Sequence, residues 1–479
     1  MRLRTDLKAG LLLALGFATV TAAPAEDKKL PAPWEERAIT APLDRADFSG
    51  MLTREKLDEL TSIGEHLFGA HFTPLDGVGR PMATQAIIPT KRRRETRLSF
   101  QRMAGMDAAS CASCHNMPVA GGAGDFVANV FVSEGFSNAD FDSIDPQFSN
   151  ERNTNHLFGA GLIELLAREM TVDLQAIREE AARQARAGGG TVTLPLETKG
   201  VSFGSITVEA DGMVDLSGLD GVDTDLVIRP FSQKGVMTSL RQFTVNALNQ
   251  HHGMQSTERF GARWTGEADY DEDGKGDEIS PGDVSAMVAW QATLEPPFAT
   301  IPDDEAWRTA SANGDKIFDS IGCSSCHIRA LPLSSLEFAD PGPVDAAGTL
   351  RGDEDGAAAV YDLGLYEWAA RLERNEAGQA MVPLFGDLKR HRIADQKVAI
   401  LGNELLAQRF VDRDVFMTGE LWGIADTGPY GHRGDLTTLD DVIRAHGGEG
   451  SQSARAYEAL AETDRSALIA FLKTLVIDR

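Results

Sequence analysis

Two short motifs hold every cysteine of this 479-residue chain: Cys111-Ala112-Ser113-Cys114-His115 and Cys323-Ser324-Ser325-Cys326-His327. No cysteine is left over for a disulfide or a lone nucleophile. Cys-x-x-Cys-His is the attachment signature of c-type haem. Residues i and i+3 lie one helical turn apart on one face, so both thiols reach the two vinyl groups of one porphyrin. The following histidine then offers its imidazole to the iron. Two such motifs predict two covalently attached haem c groups. A zinc site shared by the pairs is the first rival, but the pairs are far apart in sequence and zinc gives no reason for a histidine directly after each. A redox dithiol is the second rival, and it needs no histidine either.

The amino terminus agrees with that reading. Arg2, Arg4 and Lys8 precede an apolar run from Leu11 to Val20, and Ala23-Pro24-Ala25 follows before Glu26. This is the plan of a signal peptide, residues 1–25, cut after Ala25. The apolar run is too short to span a bilayer and no later run matches it, so an exported, periplasmic protein without a transmembrane segment is expected. The net charge is −26. The leader carries three basic residues against Asp6 alone, which leaves about −28 for the remainder. Such a field repels nucleic acid and anionic membranes and attracts a basic partner, such as a small cationic monohaem cytochrome; solubility alone also accounts for it.

Along the chain, residues 26–50 read as an extended arm rich in proline and charge. Leu57, Leu60, Ile63, Leu67 and Phe68 recur at helical spacing and predict a helix over Thr53–Phe68. Residues 120–125 form a glycine-rich turn, read as backbone lying against the porphyrin or as a plain loop. Gly161–Arg186 reads as a helix stopped by three glycines. Between residues 191 and 230, Val192–Leu194, Val201–Phe203, Ile206–Val208 and Leu226–Ile228 are short β-branched runs and predict a small β insertion. The helical pattern resumes at Thr238, and the chain closes on an amphipathic helix over Asp464–Ile477. These segments divide into an N-terminal unit, 51–300, and a C-terminal unit, 301–479.

Further residues carry a resemblance. Thr427-Gly428-Pro429-Tyr430-Gly431-His432-Arg433-Gly434, Thr437-Thr438-Leu439 and His446-Gly447-Gly448 resemble the C-terminal haem domain of bacterial di-haem cytochrome c peroxidases. Phe158-Gly159-Ala160-Gly161-Leu162-Ile163-Glu164, Glu258-Arg259-Phe260-Gly261 and Asp269-x-Asp-x-Asp-Gly274 look like the branch called di-haem oxidoreductases or putative peroxidases. The resemblance runs from about residue 55 to the end. It implies a mainly α fold of two cytochrome-c-like helical haem domains, with the β insertion in the first. One haem takes in electrons and the other performs the reaction.

In typical members of that family the electron-entry haem takes a methionine fourteen residues after the histidine of the Pro-Tyr-x-His-x-Gly motif. Here that histidine is His432 and the corresponding position is His446, which the resemblance makes the sixth ligand opposite His327. The switchable histidine expected soon after the first motif is missing, since no histidine lies between His115 and His156. The first haem is therefore open, or takes a ligand from His156, His251, His252 or Met254. Peroxide heterolysis needs a group that moves a proton between the two oxygens. Glu164 is the expected one, because it follows Gly159-Ala160-Gly161 and an apolar run would raise its pKa. Asp269, Asp271, Asp273 and Asp277 occupy positions 1, 3, 5 and 9 of a calcium-type loop with Gly274 at position 6; Ser280 stands where the bidentate glutamate usually does. A solvated acidic turn is the alternative. The expected activity is reduction of hydrogen peroxide. A pure electron carrier, or a di-haem oxygenase or protein-modifying enzyme of the same fold, are the other readings.

Overall fold

The computed structural model describes residues 32, 34–84, 91–93, 108–124, 128–129, 151–344, 349–351, 356–402 and 411–477. The expected leader and the first residues of the arm lie outside them. Among the described residues the helices that organise the fold are α1 (Arg54–Gly69), α2 (Ala160–Gly188), α3 (Leu240–Ala247), α4 (Pro281–Thr293), α5 (Glu305–Ser320), α6 (Leu439–Arg444), α7 (Ser451–Glu458) and α8 (Glu462–Leu472). No helix of the described residues is long and apolar enough to cross a membrane.

Helix starts follow local chemistry. Thr53 accepts from the backbone N–H of Lys56 to cap α1, and Asp304 caps α5 through Trp307. Ser280 and Asp283 form a reciprocal capping box with Pro281 at the first turn of α4, satisfying donors that would otherwise be orphaned. Two helix pairs matter most. α1 crosses α4 where Gly64 lies so close that a Cβ would stand 1.9 Å from the Ala286 carbonyl oxygen. α5 crosses α8 in the same way, with Gly314 against the Ala467 carbonyl at 2.0 Å. Only glycine permits backbones to approach so closely. Each pair is followed in the chain, or touched, by one of the Cys-x-x-Cys-His turns.

The β insertion is present as β1 (Val192–Thr198), β2 (Val201–Val208) and β3 (Val214–Asp215), a three-stranded antiparallel sheet on α2. Leu226–Ile228 departs from the expectation. These residues are buried but not in a strand: Leu226 has φ +59°, the Val227 N–H donates to Asp225 Oδ1 and the Ile228 N–H to Thr171 Oγ1. Side chains have taken the bonds a ladder would need. The last helix also stops earlier than expected, at Leu472, because Leu475–Val476 pairs with Phe298–Ala299 as a short antiparallel strand. The description "mainly α" is incomplete in one respect. Among the described residues, short strands form several further sheets of two or three strands.

The largest apolar core draws on both sides of residue 300. Leu57, Leu60, Leu166, Met170 and Met287 pack in one cluster with Leu331, Phe338, Tyr361 and Leu384. A second cluster around Phe318, Phe385, Tyr457, Leu468 and Phe471 belongs to the α5–α8 pair.

Candidate functional site

Each Cys-x-x-Cys-His segment begins as a single 3-10 turn, Cys111–Ser113 and Cys323–Ser325. In both, the histidine N–H donates back to the carbonyl of the first cysteine, at 3.0 Å for His115 and 3.1 Å for His327. The turn brings both cysteines and the histidine to one side, as the spacing predicts. All four cysteines are free thiols. Burial pushes Cys111 up to about 12 and Cys323 up to about 11, the reverse of what a redox dithiol needs.

Both motifs open into one continuous cavity of about 570 Å³. Its wall includes Cys111, Cys114 and His115 at one end and Cys323, Cys326, His327 and His446 at the other. Phe231, Gln233 and His432 are part of the same wall. His432 stacks on Phe416 with ring centres 4.6 Å apart.

The second end brings two imidazoles face to edge. The rings of His327 and His446 stand 6.4 Å apart, centre to centre. Two metal–nitrogen bonds of about 2 Å, each with about 1 Å from nitrogen to ring centre, span about 6 Å. Each Nδ1 is already engaged: His327 with the Phe385 carbonyl at 3.2 Å, His446 with the Val442 carbonyl at 2.7 Å. A carbonyl on Nδ1 fixes the tautomer and leaves Nε2 as the free donor atom. Burial pushes His327 down to about 4 and lowers His446 as well, so both rings are neutral, the form a ligand requires.

The first end is arranged differently. His115 has a buried Nδ1 without a hydrogen bond, and its ring lies 6.0 Å from that of Phe68. Burial pushes it down to about 4, with smaller repulsion from His251 and His156. Of the four candidates for its opposite face, Met254 is buried away from the cavity wall. His252 donates its Nδ1–H to the Ala108 carbonyl at 2.7 Å, and its Nε2 meets Cys111 Sγ at 3.5 Å. His156 meets the Trp422 carbonyl through Nε2 at 3.1 Å and keeps a buried, unpartnered Nδ1. His251 lines the cavity from the π-helical turn Leu248–His252 that ends α3.

The structure places Glu164 away from this cavity. Its carboxylate is buried inside α2, ion-paired with Arg168 and accepting the Leu240 N–H at 2.8 Å. Gly161 admits the Ala292 carbonyl, 2.2 Å from where a Cβ would be, and Gly159 faces the Trp422 ring. Residues 120–124 of the expected glycine turn fold back on the first motif, with Gly122 against the Met117 carbonyl and Gly124 against that of Cys114. The apolar run around Glu164 does bury it, but burial beside a core helix is not burial beside a substrate.

Two cavity groups have no signal in the sequence. His391 bonds Asp387 at 2.8 Å and Glu449 at 2.7 Å. Burial opposes its charge, but hydrogen bonds to Asp387, Cys326 and Glu449 outweigh this and push it up to about 11. His391 and its two carboxylate partners thus stand beside the second motif. The partners lie four residues before His391 and far after it in sequence, so no local pattern marks them. Glu420 faces the cavity, and burial pushes it up to about 7. Its folded pKa is raised above the unfolded value, so the folded chain binds the extra proton between about pH 4.5 and 7. The contribution of Glu420 to stability is therefore fully present below this window and is lost as pH rises through it, on the order of 2 kcal/mol. Denaturant titrations of wild type and Glu420→Gln at several pH values should differ by this pH-dependent amount.

No family model and no curated protein matches the chain. Among solved structures it is similar to hydrazine synthase of Kuenenia stuttgartiensis, at 13% identity over 95% of this chain and 98% of that one, with a TM-score of 0.38. It is also similar to a MauG-like protein associated with microbial copper homeostasis, at 16% identity over 56% of this chain and 78% of that one, with a TM-score of 0.28. At these scores neither likeness establishes a shared fold.

Proposed function

We propose that this protein is an exported, periplasmic di-haem c-type oxidoreductase of peroxidase type, which takes electrons from a small basic cytochrome and passes them to hydrogen peroxide. The observation that carries the reading is the second end of the cavity: two neutral imidazoles, 6.4 Å apart, each anchored through Nδ1, beside a paired-cysteine turn. The cavity also fits a group with polar edges, because Asn153 Oδ1, Ser232 Oγ, Gln233 Oε1 and His156 Nδ1 are buried in its wall without partners.

Cys111, Cys114 and His115 would hold one haem, and Cys323, Cys326, His327 and His446 the other. When bound, these groups supply one-electron chemistry at iron; an iron with both axial positions filled transfers electrons, and an open one binds a small substrate. The residues of the chain do the rest. His446 closes the second site, which suits it to electron entry. At the first end His252 is anchored through Nδ1 by the Ala108 carbonyl as well, but its Nε2 meets Cys111 Sγ rather than facing His115 as His446 faces His327, which suits that end to binding peroxide. Reduction of peroxide to water consumes protons as well as electrons, and the group that moves them must lie within hydrogen-bond reach of the substrate. His156, His251 and His252 are cavity imidazoles on that side, whereas Glu164 is tied to Arg168.

The test is the mass and ferric spectrum of the protein produced with haem-attachment machinery. A gain of two haems, one low-spin and one with high-spin character that responds to hydrogen peroxide, is expected. A gain of one haem or none overturns the reading, and two low-spin haems indifferent to peroxide would make the protein an electron carrier.

A further inference from the structure

Two clusters of close-set donor side chains occur among the described residues. Asp269, Asp271 and Asp273 form one, in the loop of calcium-type spacing, with Asp277 outside it. The other matches no sequence motif: Cys326, Asp387 and His391 each bring a donor atom within 4.8 Å of the others. Cys326 belongs to the second attachment turn, so it is the imidazole and the carboxylate whose task is open. His391 takes both ring nitrogens into bonds with carboxylates, Nε2 with Asp387 Oδ2 at 2.8 Å and Nδ1 with Glu449 Oε2 at 2.7 Å. The His391 side chain is 11% exposed and that of Asp387 2%. A ring held at both ends by carboxylates keeps one orientation, because hydrogen bonds to ionised groups are the stronger kind.

The strand Arg390–Arg392 fixes the backbone beneath that ring. It pairs antiparallel with Val415–Met417, which sets His391 opposite Phe416. Directly opposed residues share one face of a sheet, and both of these line the cavity. Arg390 and Arg392 take the other face, where Arg390 is paired with Asp223, and Arg392 with Asp412 and Asp414. Turning His391 away from the cavity would break the ladder and these ion pairs together.

The two partners of His391 lie beside the two supports of the imidazole pair. Asp387 stands two residues after Phe385, whose carbonyl engages His327 Nδ1 at 3.2 Å. The other oxygen of Asp387 accepts the Lys389 N–H at 3.0 Å, which leaves Oδ2 to His391. Glu449 stands three residues after His446. Its Oε1 accepts the Arg392 N–H at 2.8 Å. The Gly447 N–H donates to the Ile393 carbonyl at 2.9 Å, and the Gly448 N–H to Asp395 Oδ2 at 3.0 Å. A Cβ on Gly448 would stand 2.2 Å from the Arg392 carbonyl oxygen, so the turn after His446 lies directly on the strand that carries His391. One side chain therefore touches both the support of His327 and the turn of His446.

We propose that His391 is a positioning residue for the imidazole pair: by bridging Asp387 and Glu449 it holds the His327 support and the His446 turn at a fixed separation. This rests on the reading of His327 and His446 as ligands of one iron. An iron with both axial positions filled admits a further ligand only when one imidazole swings off, and the bridge opposes that swing. Groups behind a metal ligand typically change its hold by about tenfold to a hundredfold. His391 acts through Asp387 and Glu449, one step further back, so the lower end of that range is expected.

The experiment mixes the ferrous, haem-loaded protein with carbon monoxide and follows the absorption. Wild type should show a fast phase from the open haem and a far slower one from the second, and His446→Ala, which makes the second fast, assigns the two. His391→Phe fills much the same space without either bond and should speed the slow phase by roughly tenfold or more. His391→Asn keeps a donor where Nδ1 stands, and His391→Gln one where Nε2 stands, so each should fall between His391→Phe and wild type. Should His391→Phe fail to attach both haems, Glu449→Ala carries the test and should speed the same phase. A slow phase left unchanged overturns the bridge, even where the melting temperature falls, since that is the mark of a merely structural residue. So does His391→Asn or His391→Gln reacting faster than His391→Phe, the order expected if the ring only fills space. A wild type whose ferric spectrum lacks a low-spin haem overturns instead the axial reading on which the bridge rests, and it does so before any variant is made.

Discussion

His446→Ala will convert the second haem from low-spin to high-spin while leaving both haems covalently attached. The ring it removes stands 6.4 Å from His327 and is fixed by the Val442 carbonyl. Electronic absorption and electron paramagnetic resonance of the ferric protein read the change directly. Electron entry should slow with it, because a six-coordinate iron changes geometry little on reduction and a five-coordinate one changes more. An unaltered low-spin signal removes His446 from the site. His446 closes the last turn after α6, and the N–H of the same residue bonds the Ile443 carbonyl, so the backbone there keeps its place when the ring is lost.

The second large effect is on stability. Arg241 of α3 is 1% exposed and is held by Glu258 and Asp340, which are themselves buried. It also donates to Ser285 Oγ at 2.9 Å and to the Pro281 carbonyl at 3.0 Å. One guanidinium therefore joins α3 to the start of α4 and to the strand Glu337–Asp340. Arg241→Met keeps much of the volume but leaves two carboxylates buried without their cation. Breaking a buried pair in this way costs roughly 3–5 kcal/mol. Chemical denaturation should show that loss, and a double variant that also replaces Glu258 with glutamine should recover part of it. If Arg241→Met alone costs less than about 1 kcal/mol, the range of an exposed ion pair, the network does not support α3. Since α3 runs directly into the Leu248–His252 turn, the first end of the cavity should loosen with it.

Glu164 and Asp271 show where reading the chain and seeing it folded part company. Both were singled out as acidic residues in suggestive settings. Glu164 lies in an apolar run, and that run did bury it, but the partner that decides its role is Arg168, one turn along α2, together with the N–H of Leu240. Asp271 alternates with its neighbours in a loop pattern, and what makes it notable is the absence of any donor at either oxygen, which no pattern states. The same holds for Leu226–Ile228: β-branched composition fitted a strand, and side chains of Asp225 and Thr171 captured the backbone instead.

What the chain by itself determined is local. Cysteines three apart and a histidine beside them make the attachment turns, because a turn places i and i+3 together whatever surrounds them. Capping residues such as Thr53, Ser280 and Asp304 set helix starts, and apolar spacing set α1 and α2 to within two residues, since these depend on contacts along a few residues of backbone. Only the tertiary structure decided which distant groups meet. It joined two motifs about two hundred residues apart in one cavity, set His446 facing His327, paired His391 with Asp387 and Glu449, and sent Glu164 into the core. Those outcomes depend on desolvation and on partners far along the chain, quantities that exist only once the helices have packed.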